Sequence, residues 1–236
     1  MFNKIRSIII TISAFVTLAV FAPFYIAALV IFGPRKSFRL RQWYGLILIW
    51  STGCLLEVCG KKPARNCTYI FVANHSSMYD ALIIAAAIPQ NFSVIAKKEL
   101  LKIPIFGSIV KRMGFMFIDR KNRAEAGMSI PQSIAKLISK ISVFVFPQGT
   151  RTKDGGIGRF KPGAFVIARR TGTPILPMGI CGSFEANPTG WNFFPRKLTV
   201  TFGEPIEPEE YAGLSIDQLS DLVKERIIEL SNPKQP

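Results

Sequence analysis

The polar and apolar positions of this chain fall into two regimes. From Ser7 to Pro34 no residue carries a charge. A helix over 7–32 would be roughly 39 Å long, against a bilayer hydrocarbon core of roughly 30 Å. Pro23 falls inside that run, where a proline kinks or breaks a helix. Basic residues flank it on both sides, Lys4 and Arg6 before, then Arg35, Lys36, Arg39 and Arg41 after. A single span would put one basic flank on the wrong side, although the stronger second cluster would still orient it. A second apolar run, Trp43 to Leu56, is short for a span and suits an interfacial or half-inserted helix. The pattern favours a two-helix membrane anchor embedded from the cytoplasmic side over a tilted span. In both readings the cluster at 35–41 places the rest of the chain on the cytoplasmic face of a cell membrane.

Past residue 60 the pattern changes. Lys61-Lys62-Pro63-Ala64-Arg65-Asn66 reads as a surface connection, which divides the chain into a membrane-associated helical hairpin, 1–60, and a second domain, 61–236. Short apolar runs predict strands at 68–73, 92–96, 115–118, 142–146, 174–180 and 197–202. Helical patterns lie between and after them. They cover 77–88, a segment that follows Lys97-Lys98-Glu99-Leu100 and runs through Arg112, 123–140 (interrupted near Gly127 and Pro131), Pro162 to Gly172, and 216–230. This alternation predicts an α/β domain with a central, mostly parallel or mixed sheet flanked by helices.

The chemistry concentrates where the first of those strands meets its helix, at Asn74-His75-Ser76-Ser77-Met78-Tyr79-Asp80. His75 is the only histidine in 236 residues. Imidazole suits general-base work near neutral pH, and a carboxylate on its far ring nitrogen sets the tautomer. Within one helix, five residues would separate the two side chains by about 140°. The pair therefore works only with His75 in the loop and Asp80 in the helix's first turn, with Ser76 or Ser77 as N-cap. The competing reading is a surface histidine beside an unrelated helix-starting aspartate.

Net charge narrows the partners. The chain holds 30 Lys and Arg against 15 Asp and Glu, and residues 81–170 alone hold 16 against 4. The excess lies around the candidate site, while the last stretch, 204–236, is acidic with 8 against 3. No nucleic-acid partner is expected, since zinc ligands, helix-turn-helix patterning and aromatic RNP motifs are all missing and such a reading rests on charge alone. An anionic lipid surface and a phosphate-bearing substrate fit the charge. Cys54, Cys59, Cys67 and Cys181 have no metal or redox spacing and read as thiols in a reducing compartment. The glycine-rich Asp154-Gly155-Gly156-Ile157-Gly158 matches no nucleotide fingerprint, and no G-x-S-x-G elbow is present. No cofactor or metal site is expected.

Three further blocks follow His75: Gly114-Phe115-Met116-Phe117-Ile118-Asp119-Arg120, Phe146-Pro147-Gln148-Gly149-Thr150-Arg151 and Thr173-Pro174-Ile175-Leu176-Pro177. In order and spacing the four blocks, spread over about residues 65 to 205, resemble the glycerophospholipid acyltransferase family, most closely its lysophosphatidate-acylating branch. The resemblance implies transfer of a fatty acyl group from an acyl thioester, on coenzyme A or acyl carrier protein, to the 2-hydroxyl of 1-acylglycerol 3-phosphate, forming phosphatidate in phospholipid biosynthesis. It implies His75 as base and Asp80 as its partner. It assigns Gly149, Thr150 and Arg151 to the acceptor phosphate, with Arg120, Lys98 and Lys97 as weaker cations for the same group. Lysophosphatidate, the acyl thioester, membrane lipids and acyl carrier protein are the expected partners. The family's third block carries glutamate where this chain has Gln148. Glycerol 3-phosphate or a different lysolipid as acceptor, or a catalytically weakened lipid-binding relative, therefore stay open as alternatives.

Overall fold

Period-two alternation along the apolar runs becomes a two-faced sheet. A computed structural model of the chain describes residues 2–118, 129–188 and 192–232. Its helices are α1 (Phe2–Lys36), α2 (Phe38–Ser51), α3 (Tyr79–Ala87), α4 (Phe106–Arg112), α5 (Ser129–Ile138), α6 (Gly163–Thr171), α7 (Ser183–Ala186), α8 (Pro208–Tyr211) and α9 (Ile216–Ser231). Its strands are β1 (Leu55–Gly60), β2 (Ile70–Ala73), β3 (Phe92–Lys97), β4 (Met116–Ile118), β5 (Ser142–Val145), β6 (Ile175–Cys181) and β7 (Lys197–Phe202). They pair in the order β1-β7-β6-β2-β5-β3-β4. Every neighbouring pair is parallel except β6 with β7, so the expected mixed α/β sheet forms. All four residues of β2 are buried, as an interior parallel strand covered on both faces requires. Phe71 and Ala73 face one core with Ile49 and Ile83, while Ile70 and Val72 face another with Phe165, Leu219 and Val223.

The structure moves the expected division at residue 60. β1 pairs with β7 from Leu55 opposite Lys197 to Gly60 opposite Phe202, so it is an edge strand of the sheet. The apolar run Trp43–Leu56 is cut at Thr52-Gly53, where Gly53 has φ +76°, into a helix and the start of a strand. α2 packs on α3 and buries Ile49 in the main core. Strand β1 was missed because its first residues continue an apolar helical run. One helix expectation also changes. The helix expected after Leu100 starts only at Phe106, because Lys98–Lys102 form a 3-10 turn and the chain bends at Pro104 and Ile105 before α4. Of the expected helix 123–140, residues 129–138 are helical and 119–128 lie outside the described residues.

α1 is long and apolar enough to cross a bilayer, yet one face lies on the protein. Ala22, Tyr25 and Leu29 pack with Tyr44 and Leu48 of α2, with Ile109 of α4 and with Met113 just after it. Near its start, Arg6 Nε donates to the Phe193 carbonyl (3.2 Å) and Phe193 N–H donates to Ser7 Oγ (3.1 Å). The break falls at Gly33 (φ +70°), while the backbone stays helical through Pro23. Ile8, Ile12, Phe15, Val16, Phe24 and Ile31 point outward and are exposed, an apolar face suited to membrane association. A chain beginning near residue 62 therefore loses an edge strand and α2 together with the anchor. It is expected to show a broad, low-temperature thermal transition by circular dichroism. A sharp, native-like transition would instead make 62–236 self-sufficient.

Candidate active site

The loop between β2 and α3 is held from three sides. Beyond the last β2–β6 pair, the Asn74 side chain replaces a strand partner: its Nδ2 donates to the Ile180 carbonyl and its Oδ1 accepts from Ile180 N–H, both at 2.8 Å. The next residue is His75. Its Nδ1 lies 2.7 Å from Asp80 Oδ2, and that same oxygen accepts from the N–H groups of Ser76 (2.7 Å) and Ser77 (2.8 Å). Asp80 is fully buried and His75 is 17% exposed, so the carboxylate is sealed and the imidazole keeps an open side. Asp80 sits in the first turn of α3 as expected, where a negative charge is favoured. The N-cap position is Met78 rather than either serine. The Asp80 oxygen already takes up two of the loop's backbone N–H groups, which leaves Ser77 Oγ only a 3.3 Å contact from Tyr79 N–H.

The loop after β5 completes the frame. Phe146 stacks on the His75 ring at 4.0 Å between centroids and 13° between planes. Gln148, itself buried, accepts the His75 backbone N–H on Oε1 at 2.8 Å. The His75 carbonyl accepts from Thr152 N–H at 3.1 Å. Both backbone groups of His75 are thus tied to residues 148–152, which fixes its ring against Phe146 and Asp80. Gly149 turns the chain at φ +72°, which favours glycine. A Cβ there would meet Lys161 Nζ at 2.8 Å, so a side chain at 149 would also displace that ammonium. Further on, the Asp154 carboxylate accepts from the Thr152 hydroxyl and from Gly156 N–H, bonds that hold it below the usual carboxylate range and fold the glycine-rich loop.

Sequence-predicted residues separate into three groups. His75, Asp80, Gly149, Thr150 and Arg151 come together, with Arg151 exposed and one residue from the Thr152–His75 bond. Lys97 and Lys98 sit at the end of β3, the neighbour of β5 on the same sheet edge, and Lys97 pairs with Glu99 at 3.2 Å. Arg120 lies outside the described residues. Phe146, Gln148, Thr152 and Lys161 were not foreseen as parts of the frame. The third block contained the first two, but nothing in it says that they reach His75, 73 residues away for Gln148.

With this geometry in view, comparison with known proteins is informative. A family model described as Acyltransferase matches residues 56–181, starting within β1. The chain is 30% identical over 196 residues to the 1-acyl-sn-glycerol-3-phosphate acyltransferase of Cocos nucifera, covering 80% of this chain and 63% of that protein. It is 33% identical over 184 residues to the 1-acyl-sn-glycerol-3-phosphate acyltransferase of Salmonella typhimurium, covering 74% of each. The crystal structure of the 1-acyl-sn-glycerophosphate acyltransferase of Thermotoga maritima superposes with a TM-score of 0.85 at 26% identity, covering 99% of this chain and all of that one.

Proposed function

This chain belongs to the acyltransferase family, and from that premise we propose that it acylates the 2-hydroxyl of 1-acylglycerol 3-phosphate from an acyl thioester, yielding phosphatidate. The observation that carries the reading is the His75–Asp80 pair at 2.7 Å, with the carboxylate buried and the imidazole open. A proton on Nδ1, donated to Asp80, leaves the Nε2 lone pair as the base. Nε2 takes the acceptor's hydroxyl proton as that oxygen attacks the thioester carbonyl. The new C–O bond forms, the C–S bond breaks, and the sulfur leaves as a thiolate that recovers the proton from the imidazolium. A thiol of pKa about 8.5 needs little acid assistance to leave. No acyl-enzyme is required, and one histidine suffices.

In this reading, the Gly149 turn and Arg151 hold the acceptor's phosphate, and the Lys161 ammonium stacked over Gly149 adds a second cation there. Coenzyme A or acyl carrier protein supplies the acyl group, and the outward face of α1 holds the enzyme on the cytoplasmic leaflet. Incubating the purified protein with labelled lysophosphatidate, glycerol 3-phosphate and other lysolipids, each with both donors, tests the assignment. Phosphatidate as the dominant product supports it, and preference for another acceptor overturns it.

The phosphate role has its own test. Arg151→Lys keeps the charge but loses the planar fork that grips an oxyanion bidentately. The Michaelis constant for lysophosphatidate is expected to rise at least tenfold, about 1.4 kcal/mol, with that for the thioester little changed. Gln148→Glu presents the same acceptor oxygen to His75 N–H and is expected to retain activity. A rise confined to the thioester would move Arg151 to the donor site.

A further inference from the structure

Between the 3-10 turn and α4, five consecutive residues, Leu101-Lys102-Ile103-Pro104-Ile105, are all exposed. Leu101, Ile103 and Ile105 are each about 40% exposed (38%, 41% and 41%). Scattered aliphatics on a surface need no explanation, but three within five residues form a patch. The loop is also rigid. Gly107 N–H donates to the Ile103 carbonyl at 2.9 Å and Ile103 N–H donates to the Leu100 carbonyl at 3.2 Å. The backbone of Leu101 folds so tightly over Gly107 that a Cβ there would lie 2.4 Å from its carbonyl oxygen. Ile105 adopts φ +64°, a conformation that a β-branched residue holds only where its surroundings impose it. A fold that holds strain in order to keep an isoleucine in solvent needs an occupant for that isoleucine.

Two observations identify the occupant. Residues 97–112 carry five basic side chains and one acid, Glu99, and Lys98, Lys102, Lys111 and Arg112 are exposed. Aliphatic tips within a basic rim match an anionic phospholipid interface. The patch also continues an apolar surface. Phe106 opens α4, and Ile109 of α4 and the adjoining Met113 pack with Ala22, Tyr25 and Leu29 of α1, a stretch of helix that turns Phe21 and Phe24 outward. We propose that Leu101–Ile105 is a second membrane-contact element, which inserts its three aliphatic tips into an anionic leaflet beside α1. The proposal rests on the membrane association of α1. One helix alone leaves the domain free to roll about the helix axis, whereas a helix and a loop together set its orientation. The loop follows β3, and β3, β5 and β2 are parallel neighbours, so the edge carrying the His75 and Gln148 loops is held toward the lipid surface.

The test is a site-specific polarity probe on the full-length protein in phosphatidylethanolamine/phosphatidylglycerol vesicles. Cys67 is exposed and Cys59 and Cys181 are partly exposed, so the parent carries Cys59→Ser, Cys67→Ser and Cys181→Ser and keeps only the buried Cys54. Single reactive cysteines are placed by Ile103→Cys in the loop, Val16→Cys on the outward face of α1, and Glu225→Cys at an exposed position of α9, and each is labelled with an environment-sensitive fluorophore. Emission from positions 103 and 16 is expected to rise several-fold in vesicles and to be quenched by a nitroxide carried on the lipid chains, while position 225 reports water. Lipid contact at 16 with water at 103 overturns the loop proposal and leaves the anchor standing. Water at both positions overturns the anchor and the loop together. A dry probe at 103 that lipid nitroxide does not quench identifies a protein contact instead. A probe at 103 that becomes dry only on adding lysolipid or thioester identifies a substrate-chain site. Either of these last two results overturns the proposal.

Discussion

His75→Ala is expected to abolish acyl transfer, and Asp80→Asn to lower kcat by about 10⁴-fold. The two losses have different origins. Alanine removes the only imidazole in the chain, and no other described side chain at the loop offers a base at that position. Asparagine keeps the shape of Asp80 but not its function. In the native protein one oxygen, Oδ2, accepts from His75 Nδ1 and from two backbone N–H groups at 2.7–2.8 Å. An amide oxygen placed there still accepts the backbone bonds but carries no charge to stabilise the imidazolium. An amide NH₂ turned toward His75 forces the other tautomer, with the proton on Nε2 where the lone pair is needed. Because Asp80 is fully buried, turnover must be read on protein shown to be folded, and single-turnover rates with saturating lysophosphatidate isolate the chemical step. Near-normal turnover by His75→Ala would remove His75 from the reaction.

The His75–Asp80 pair was legible in the sequence because both members lie within six residues, between a strand and a helix that are each strongly patterned. Their mutual geometry follows from the local turn alone. The frame around them was not legible, since it is built from long-range contacts. Gln148 reads locally as a neutral stand-in for the family's glutamate. Its role, accepting the His75 N–H, exists only once β5 is laid beside β2. Lys161 gives no local signal either, and only the space above Gly149 reveals it. Among the elements, β7 at 197–202 was legible to the residue because it is bounded on both sides and alternates cleanly. β1 was hidden, since an apolar strand that follows an apolar helix leaves the period with no contrast. The run from Leu101 to Arg112 shows the opposite failure. Helical periodicity extends across it, but Pro104 and the positive φ of Ile105 override the period.

Arg41→Ala is expected to destabilise the fold by roughly 3–5 kcal/mol, more than any exposed arginine in the cluster at 35–41. Read from the sequence, Arg41 belongs to the basic flank that orients the anchor. In the structure it is 3% exposed and is a cap for α3. Its Nε donates to the Ala85 carbonyl at 3.0 Å and its Nη2 donates to the carbonyls of Ile88 and Gln90. Its guanidinium carbon lies 4.3 Å from the centre of the Phe92 ring. Burial pushes the guanidinium down to about 10, so it stays charged at neutral pH and faces the negative end of the helix dipole. Removing it strips two buried carbonyls, Ile88 and Gln90, and the half-buried Ala85 carbonyl of this donor. Arg41→Lys is expected to recover little, because an ammonium cannot reach three acceptors in one plane. The effect reaches the site, since α3 is nine residues long and carries Asp80 in its other end. A helix loosened at Ala87 no longer fixes a carboxylate that must meet His75 within a few tenths of an ångström. Thermal unfolding in detergent, compared with that of Arg39→Ala at an exposed position of the same helix, gives the stability term. The rate measured well below the melting temperature gives the catalytic one. Equal melting of Arg41→Ala and Arg39→Ala would mean that the α3 carbonyls find other donors, and Arg41 would then return to being a charge of the membrane flank.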